Sequence, residues 1–355
     1  TTTATPVRAD EAKESADVRP IVHVPPRHFA TPHTASPHSA LLSNTRYGLM
    51  VTNSGSGYSR WNDIAVTRWR EDATLEEYGS YVYLRDPRDG RTWSASYQPT
   101  RVEAESYTAD FAEDRIRIAR RDRTIMTTMD VSISAEDDAE ARRVSIANIG
   151  GMEREIELTS YLELALASAA DDSAHPAFSK MFVETGVVAQ HEGLIAHRRK
   201  RSPDAPDIWA GHLAVVEGTS LGDFAYETDR ARFIGIGRDL GSPAAVQGSL
   251  SNTSGIVLDP IFSLRRRLLV RPGTTARVTF WTMVGGSREA VLEQMLKYDD
   301  PAAFDRLGTL AWTHAQVQLR HIDMSAAEAT VCQRLASLIL FPDPGFRATA
   351  DILKR

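Results

Sequence analysis

From Leu41 to about Val284, apolar and polar residues alternate in short runs separated by turn residues, the period of two that marks strands. The clearest runs are RYGLMVTN (46–53), SYVYLRD (80–86), IRIARRD (116–122), TIMTTMDVSI (124–133) and ARRVSIANIG (141–150). REIELTSYLELAL (154–166), GLIAHRRK (193–200), SLRRRLLVRPG (263–273) and ARVTFWTMV (276–284) continue the series. Turn clusters such as DPRDG, NIGG and RPGT lie between them and predict antiparallel hairpins. So many strands in one stretch predict a mainly β fold, a large antiparallel two-sheet sandwich over residues 39–285.

After Gly285 the period becomes helical. Ser287 reads as an N-cap before EAVLEQMLKY, and Pro301 opens PAAFDRLGTLAWTHAQVQLRHI. SAAEATVCQRLASLIL carries Val331, Leu335, Leu338 and Ile339 at helical spacing. Residues 286–355 are therefore expected to be linker helices, and helices are expected only there. Residues 1–38 are rich in Thr, Ala and acidic residues, with a Pro-rich PPRHFATPHTASPHS, and are expected to be an extended linker. The chain starts without Met and stops after an apolar helical pattern, so it is expected to be a piece of a longer polypeptide.

Composition narrows the function classes. With 41 basic and 47 acidic residues the net charge of −6 gives no field to draw in nucleic acid, and no nucleic-acid partner is expected. No stretch approaches the roughly 18 apolar residues of a membrane span. The single cysteine, Cys332, rules out an internal disulfide framework and suggests a reducing, cytoplasmic setting. It is expected to pack on the apolar face of its helix.

Motifs for nucleotide or nucleophile chemistry are missing. SGSGY (54–58) lacks the lysine of a phosphate loop and reads as a turn, and GIGRDLG (235–241) lacks the strand and helix of a dinucleotide site and reads as a loop. No GxSxG elbow is present. His23, His28, His33 and His38 recur every five residues but sit in a Pro-rich spacer, so neither a metal nor a cofactor is expected. Glu157, Tyr161 and Glu163 alternate on one strand and read as its solvent face. The basic runs HRRKRSP (197–203) and LRRRLLVR (264–271) read as a hairpin loop and as a strand with exposed arginines.

The aromatic residues carry more information. Tyr58, Trp61, Trp69, Tyr81, Tyr83, Trp93 and Tyr97 fall within 40 residues, interleaved with Arg60, Asp63, Arg68, Arg70 and Arg85. Flat rings beside guanidinium and carboxylate groups suit sugar faces and hydroxyls. Core packing accounts for the same residue types.

The succession NTRYGLMVTNSGSGYSRWNDIAVTRWRED, GSYVYLRDPRDGRTWSASYQP, ARRVSIANIGGMEREIELTSYLELAL and AHPAFSKMFVET resembles the N-terminal β-supersandwich of glycoside hydrolase family 94, formerly glycosyltransferase family 36. The likeness runs from about Leu41 to Arg320, and RWNDIAVTRWRED with LDPIFSLRRR is most similar to the cyclic β-1,2-glucan synthase branch. It implies a sandwich followed by linker helices, with the catalytic groups on an α/α barrel outside this chain. No catalytic residue is therefore assigned. The implied role is carbohydrate binding or scaffolding within a membrane-associated glycosyltransferase, with a β-glucan or oligosaccharide and neighbouring domains as partners; homodimerisation is left open. The alternative is the sandwich of a β-glucan phosphorylase or transglycosylase that lines the sugar cleft directly. Candidate sugar-contact residues are Tyr58, Arg60, Trp61, Asp63, Trp69, Tyr81, Trp93 and His175.

Overall fold

A computed structural model describes residues 25–203, 205–342, 345 and 348–354. The first strands are β1 (Arg27–Phe29), β2 (Ser39–Ser43), β3 (Tyr47–Thr52), β4 (Gly57–Trp61), β5 (Ile64–Thr67), β6 (Tyr81–Asp86), β7 (Arg91–Ser94), β8 (Ser106–Phe111), β9 (Ile116–Asp122) and β10 (Ile125–Ile133). They are followed by β11 (Ala139–Asn148), β12 (Arg154–Ser168), β13 (Val183–Val188), β14 (Gly193–Arg198), β15 (Ile208–Glu217), β16 (Thr219–Ser220), β17 (Ala225–Asp229), β18 (Gly255–Ile256), β19 (Pro260–Val270) and β20 (Thr275–Gly285). Eight α-helices are described: α1 (Ala169–Ala174), α2 (Pro176–Lys180), α3 (Arg230–Ile234), α4 (Ala244–Gln247), α5 (Arg288–Tyr298), α6 (Ala303–His321), α7 (Ala326–Leu340) and α8 (Ala350–Leu353).

The strands form two large antiparallel sheets, so the fold is mainly β as expected. One runs β1-β8-β9-β10-β11-β20-β15-β14-β13-β18; the other runs β16-β19-β12-β5-β4-β3-β2, with β17 on β19 and β6 between β12 and β7. Alternation builds the core between them. Leu49 and Val51, Ile116 and Ile118, Val144 and Ile146, and Leu162 and Leu164 all point inward and are buried.

Strand β12 organises the second sheet. Its first part pairs with β6 and β19, and beyond a bulge between Leu164 and Ala167 it pairs with β5. Leu166 takes a positive φ of 47° there, and the strand turns toward α1.

Helices cover both outer faces. Val291 and Met295 of α5 pack with Leu213, Trp281 and Met283 on the first sheet. Gly211 permits this approach, because a Cβ there would lie 2.7 Å from both Val291 and Met295. Phe233 and Ile234 of α3 and Val246 of α4 cover Tyr81, Tyr83 and Tyr161 on the second sheet. Ser287 caps α5 as read, accepting from the Ala290 N–H.

Several expectations are corrected. Helices are not confined to the C-terminal region: α1 to α4 interrupt the strands, and at four to six residues each they are too short to show a 3.6-residue period. The segment read as linker up to residue 38 contributes β1, which pairs with β8 over Arg27–Phe29, while Thr31 and Pro32 carbonyls receive the Asn53 amide. An edge strand of three residues beside prolines carries almost no periodic signal. The rest of that expectation, residues 1–24 with His23, lies outside the described residues.

Cys332 is exposed rather than packed, because Gln333 and Ser337 are the α7 residues turned toward β2. Of the β19 arginines, Arg267 is exposed as expected, but Arg265 and Arg266 are not. Arg265 is buried and donates to Thr159 and to the carbonyls of Ala245 and Gly248, and Arg266 is buried beneath Glu192.

Candidate functional site

The bend in β12 brings the segment leaving β5 against α1. There Arg68 Nη1 lies 3.0 Å from Glu163 Oε2, and its Nη2 lies 3.2 Å from Asp172 Oδ1. Arg70 Nη2 reaches the other Asp172 oxygen at 2.7 Å and the Asp172 carbonyl at 3.0 Å. Glu163 is held from its far side by Arg230 Nε at 2.7 Å and the Tyr161 hydroxyl at 2.8 Å. Asp259 closes the network, 2.7 Å from Lys180 Nζ and 3.5 Å from Arg68 Nη1. Glu163 and Tyr161 are thus buried, not the solvent face expected from alternation; Glu157 is likewise buried between Arg85 and Arg267.

Charge balance fixes what these acids can do. Burial works to raise the Glu163 carboxyl, but Arg230 and Arg68 outweigh it and hold the group below the usual carboxylate range. Burial acts the same way on Asp172 and is overcome by Arg68 and then Arg70. Both acids therefore stay ionised at neutral pH and have no proton to donate. The knot is a clamp that fixes a loop.

What it fixes is Trp69. While Arg68 and Arg70 both turn to Asp172, the Trp69 ring packs edge-on between Tyr58 at 5.3 Å and Phe341 at 6.1 Å. Trp69 and Tyr58 are half-buried, and Phe341, at the end of α7, is buried. Arg60 is exposed and lies two residues from Tyr58, on the same face of β4. His175 is exposed at the junction of α1 and α2, three residues beyond Asp172.

The other candidates are placed apart. Trp61 is on the opposite face of β4, packs against the core and donates its Nε1–H to Asp138 at 2.8 Å. Asp63 is exposed in the β4–β5 turn. Tyr81 and Trp93 are only 2% exposed, so neither ring can meet a ligand; strand alternation directs Trp93 into the core and Tyr81 under α3 and α4. Sequence reasoning missed Asp172, Arg230 and Phe341, whose partners lie tens to hundreds of residues away in the chain.

Of the described spacer histidines, His28 pairs with Asp110 at 2.7 Å, His33 pairs with Glu103 at 2.8 Å and His38 stacks on Phe29 at 4.9 Å. Among the described residues no cluster of three His, Cys, Asp or Glu side chains suits a metal, and no helix is long and apolar enough to cross a membrane.

Comparison with known proteins places this architecture. The chain is 39% identical over 318 residues to cyclic beta-(1,2)-glucan synthase NdvB of Rhizobium meliloti (strain 1021), covering 89% of this chain and 11% of that protein. It is 26% identical over 281 residues to N,N'-diacetylchitobiose phosphorylase of Vibrio proteolyticus, covering 77% of this chain and 34% of that protein. Solabiose phosphorylase of Paenibacillus borealis is 26% identical over 208 residues, covering 58% of this chain and 26% of that enzyme. The chain thus spans about a tenth of the glucan synthase and about a third or less of the phosphorylases. The model of the glycosyl hydrolase 94 supersandwich domain matches residues 24–301, and the chain belongs to that family.

Proposed function

We propose that this chain is a sugar-contacting and scaffolding sandwich within a larger cyclic β-1,2-glucan synthase-like protein, and that it performs no bond-breaking step itself. The observation that carries the reading is the Arg68–Asp172–Arg70 clamp. It commits the acids of the site to guanidinium partners and leaves the half-exposed Trp69, with Tyr58, Arg60 and His175 as candidate contacts, to meet a ligand. A half-exposed indole and an exposed guanidinium suit the apolar face and hydroxyls of a sugar. The similarity to a β-1,2-glucan synthase supports that ligand class.

Titration of β-1,2-linked glucan into the full chain, followed by tryptophan fluorescence, tests the reading. A saturable change at about millimolar glucan is expected, since a few rim contacts barely exceed the cost of association. Release of glucose 1-phosphate from glucan and phosphate by the purified chain would favour the alternative of a sandwich that completes a phosphorylase cleft.

A further inference from the structure

Hydrogen bonds tie two C-terminal helices to the sandwich and leave a cleft between the ties. Helix α7 is held on β2, where the Gln333 side-chain amide accepts from the Leu41 N–H at 2.9 Å and donates to its carbonyl at 2.8 Å. Helix α6 is held on the β8–β9 turn, where Gln316 Nε2 donates to Glu113 Oε2 at 2.6 Å. The cleft encloses about 500 Å³, the size of a ligand site, and Leu42, Phe111 and Ile133 of the strands give it a buried apolar wall.

Charge in the lining is balanced and committed. Arg27 donates to the Ser39 carbonyl at 2.8 Å with its guanidinium 5.2 Å over the Phe111 ring, Asp114 pairs with Arg115 at 3.2 Å, and Glu113 holds Gln316. These two arginines and two acids leave no net field to select an ion. Three half-buried side chains of α6 are uncommitted. The Trp312 indole N–H, the His314 imidazole and the Gln318 amide line the cleft and make no hydrogen bond among the described residues. Trp312 also joins none of the buried apolar clusters of the sandwich.

We propose that this cleft binds a neutral sugar ring, the end of an oligosaccharide, with the Trp312 indole against its apolar face and His314 and Gln318 hydrogen-bonded to its hydroxyls. An indole beside an imidazole and a primary amide supplies the apolar surface, the donors and the acceptors that a pyranose requires. A charged ligand finds no unpaired counter-charge here, and a wholly apolar one strips water from three polar groups without replacing it. The cleft shares no residue with the group around Trp69, so this inference does not rest on the sugar-contact reading there.

Titration of the β-1,2-linked glucose disaccharide into the full chain, followed through the indole N–H signals by NMR, tests it. The Trp312 and Trp69 signals are assigned by their loss in Trp312→Phe and Trp69→Phe. The Trp312 signal should shift and saturate at about millimolar sugar. His314→Ala combined with Gln318→Ala, which removes no hydrogen bond of the fold, should weaken that binding about tenfold. Glucose 6-phosphate at low salt should bind no more tightly than glucose. A shift confined to the Trp69 signal supports the site there and overturns this one. A Trp312 signal unmoved up to about 20 mM sugar, an unchanged midpoint in the double variant, or a preference for glucose 6-phosphate also overturns the proposal.

Discussion

His212 and Ser160 meet inside the sandwich, where the imidazole Nε2 and the hydroxyl Oγ lie 2.9 Å apart and join β15 of one sheet to β12 of the other. The imidazole Nδ1 is 3.2 Å from Thr282 Oγ1, and the ring lies nearly parallel to Phe262 and Phe280. Burial pushes His212 down to about 3, against a small opposing effect of the Trp281 backbone. The unfolded chain thus takes up a proton near the ordinary value of 6.5, while the folded chain refuses it until about 3. Stability is full above the unfolded value and is lost as the pH falls through that window. Between pH 7 and pH 5 this one group should remove about 2 kcal/mol from the unfolding free energy. Urea titrations at both pH values should show that loss in the wild type and a smaller one in His212→Gln. An equal pH dependence in the two proteins contradicts it.

Asp172→Asn should loosen the Trp69 loop. The change leaves two guanidinium groups facing a neutral amide in a buried site, and breaking such a pair costs about 3 to 5 kcal/mol. The expected result is a lower urea midpoint with altered tryptophan emission. A change below about 0.5 kcal/mol means that the clamp is solvated and holds nothing.

Trp93→Ala should act on the core alone. The ring is buried among Leu84 and the other inward residues of the sandwich, and emptying such a space costs about 3 to 5 kcal/mol. Thermal unfolding measures this loss, and a near-neutral result places the ring outside the core.

The contrast between Trp93 and Trp69 shows where the sequence is readable. Strand positions follow from alternation, which finds β9 and β10 almost to the residue, and the Ser287 cap marks the switch to helix. Alternation also assigns polar strand residues to solvent, and that rule fails wherever a partner arrives from a distant segment. Arg120 points into the core and donates to the Ser96 carbonyl at 2.7 Å from 24 residues away, and Glu163 meets Arg230 from 67 residues away. Of the eight sugar-contact candidates, Tyr58 and Trp69 are brought into direct contact, while Tyr81 and Trp93 look the same in sequence and are buried. No local pattern separates a ring on a sheet's rim from a ring in its core.

Helix α7 should be held to the sandwich through Gln333. Replacing it with Ala removes both hydrogen bonds to Leu41, a loss of about 1 kcal/mol where water can take their place. Amide exchange at Leu41 should accelerate, while that of Val144 in the core stays unchanged. Unaltered Leu41 exchange means that α7 does not protect this edge.

The sugar-contact reading is tested most directly by calorimetric titration of β-1,2-linked glucooligosaccharides into the full chain and its Arg60→Ala variant. Arg60 is exposed, so its removal spares the fold while taking away the guanidinium nearest Tyr58 on that face of β4. Saturable binding near millimolar in the wild type, weakened about fivefold by the loss of a contact worth about 1 kcal/mol, is the predicted result. Binding of equal strength in both proteins, or no saturable heat in either, contradicts it.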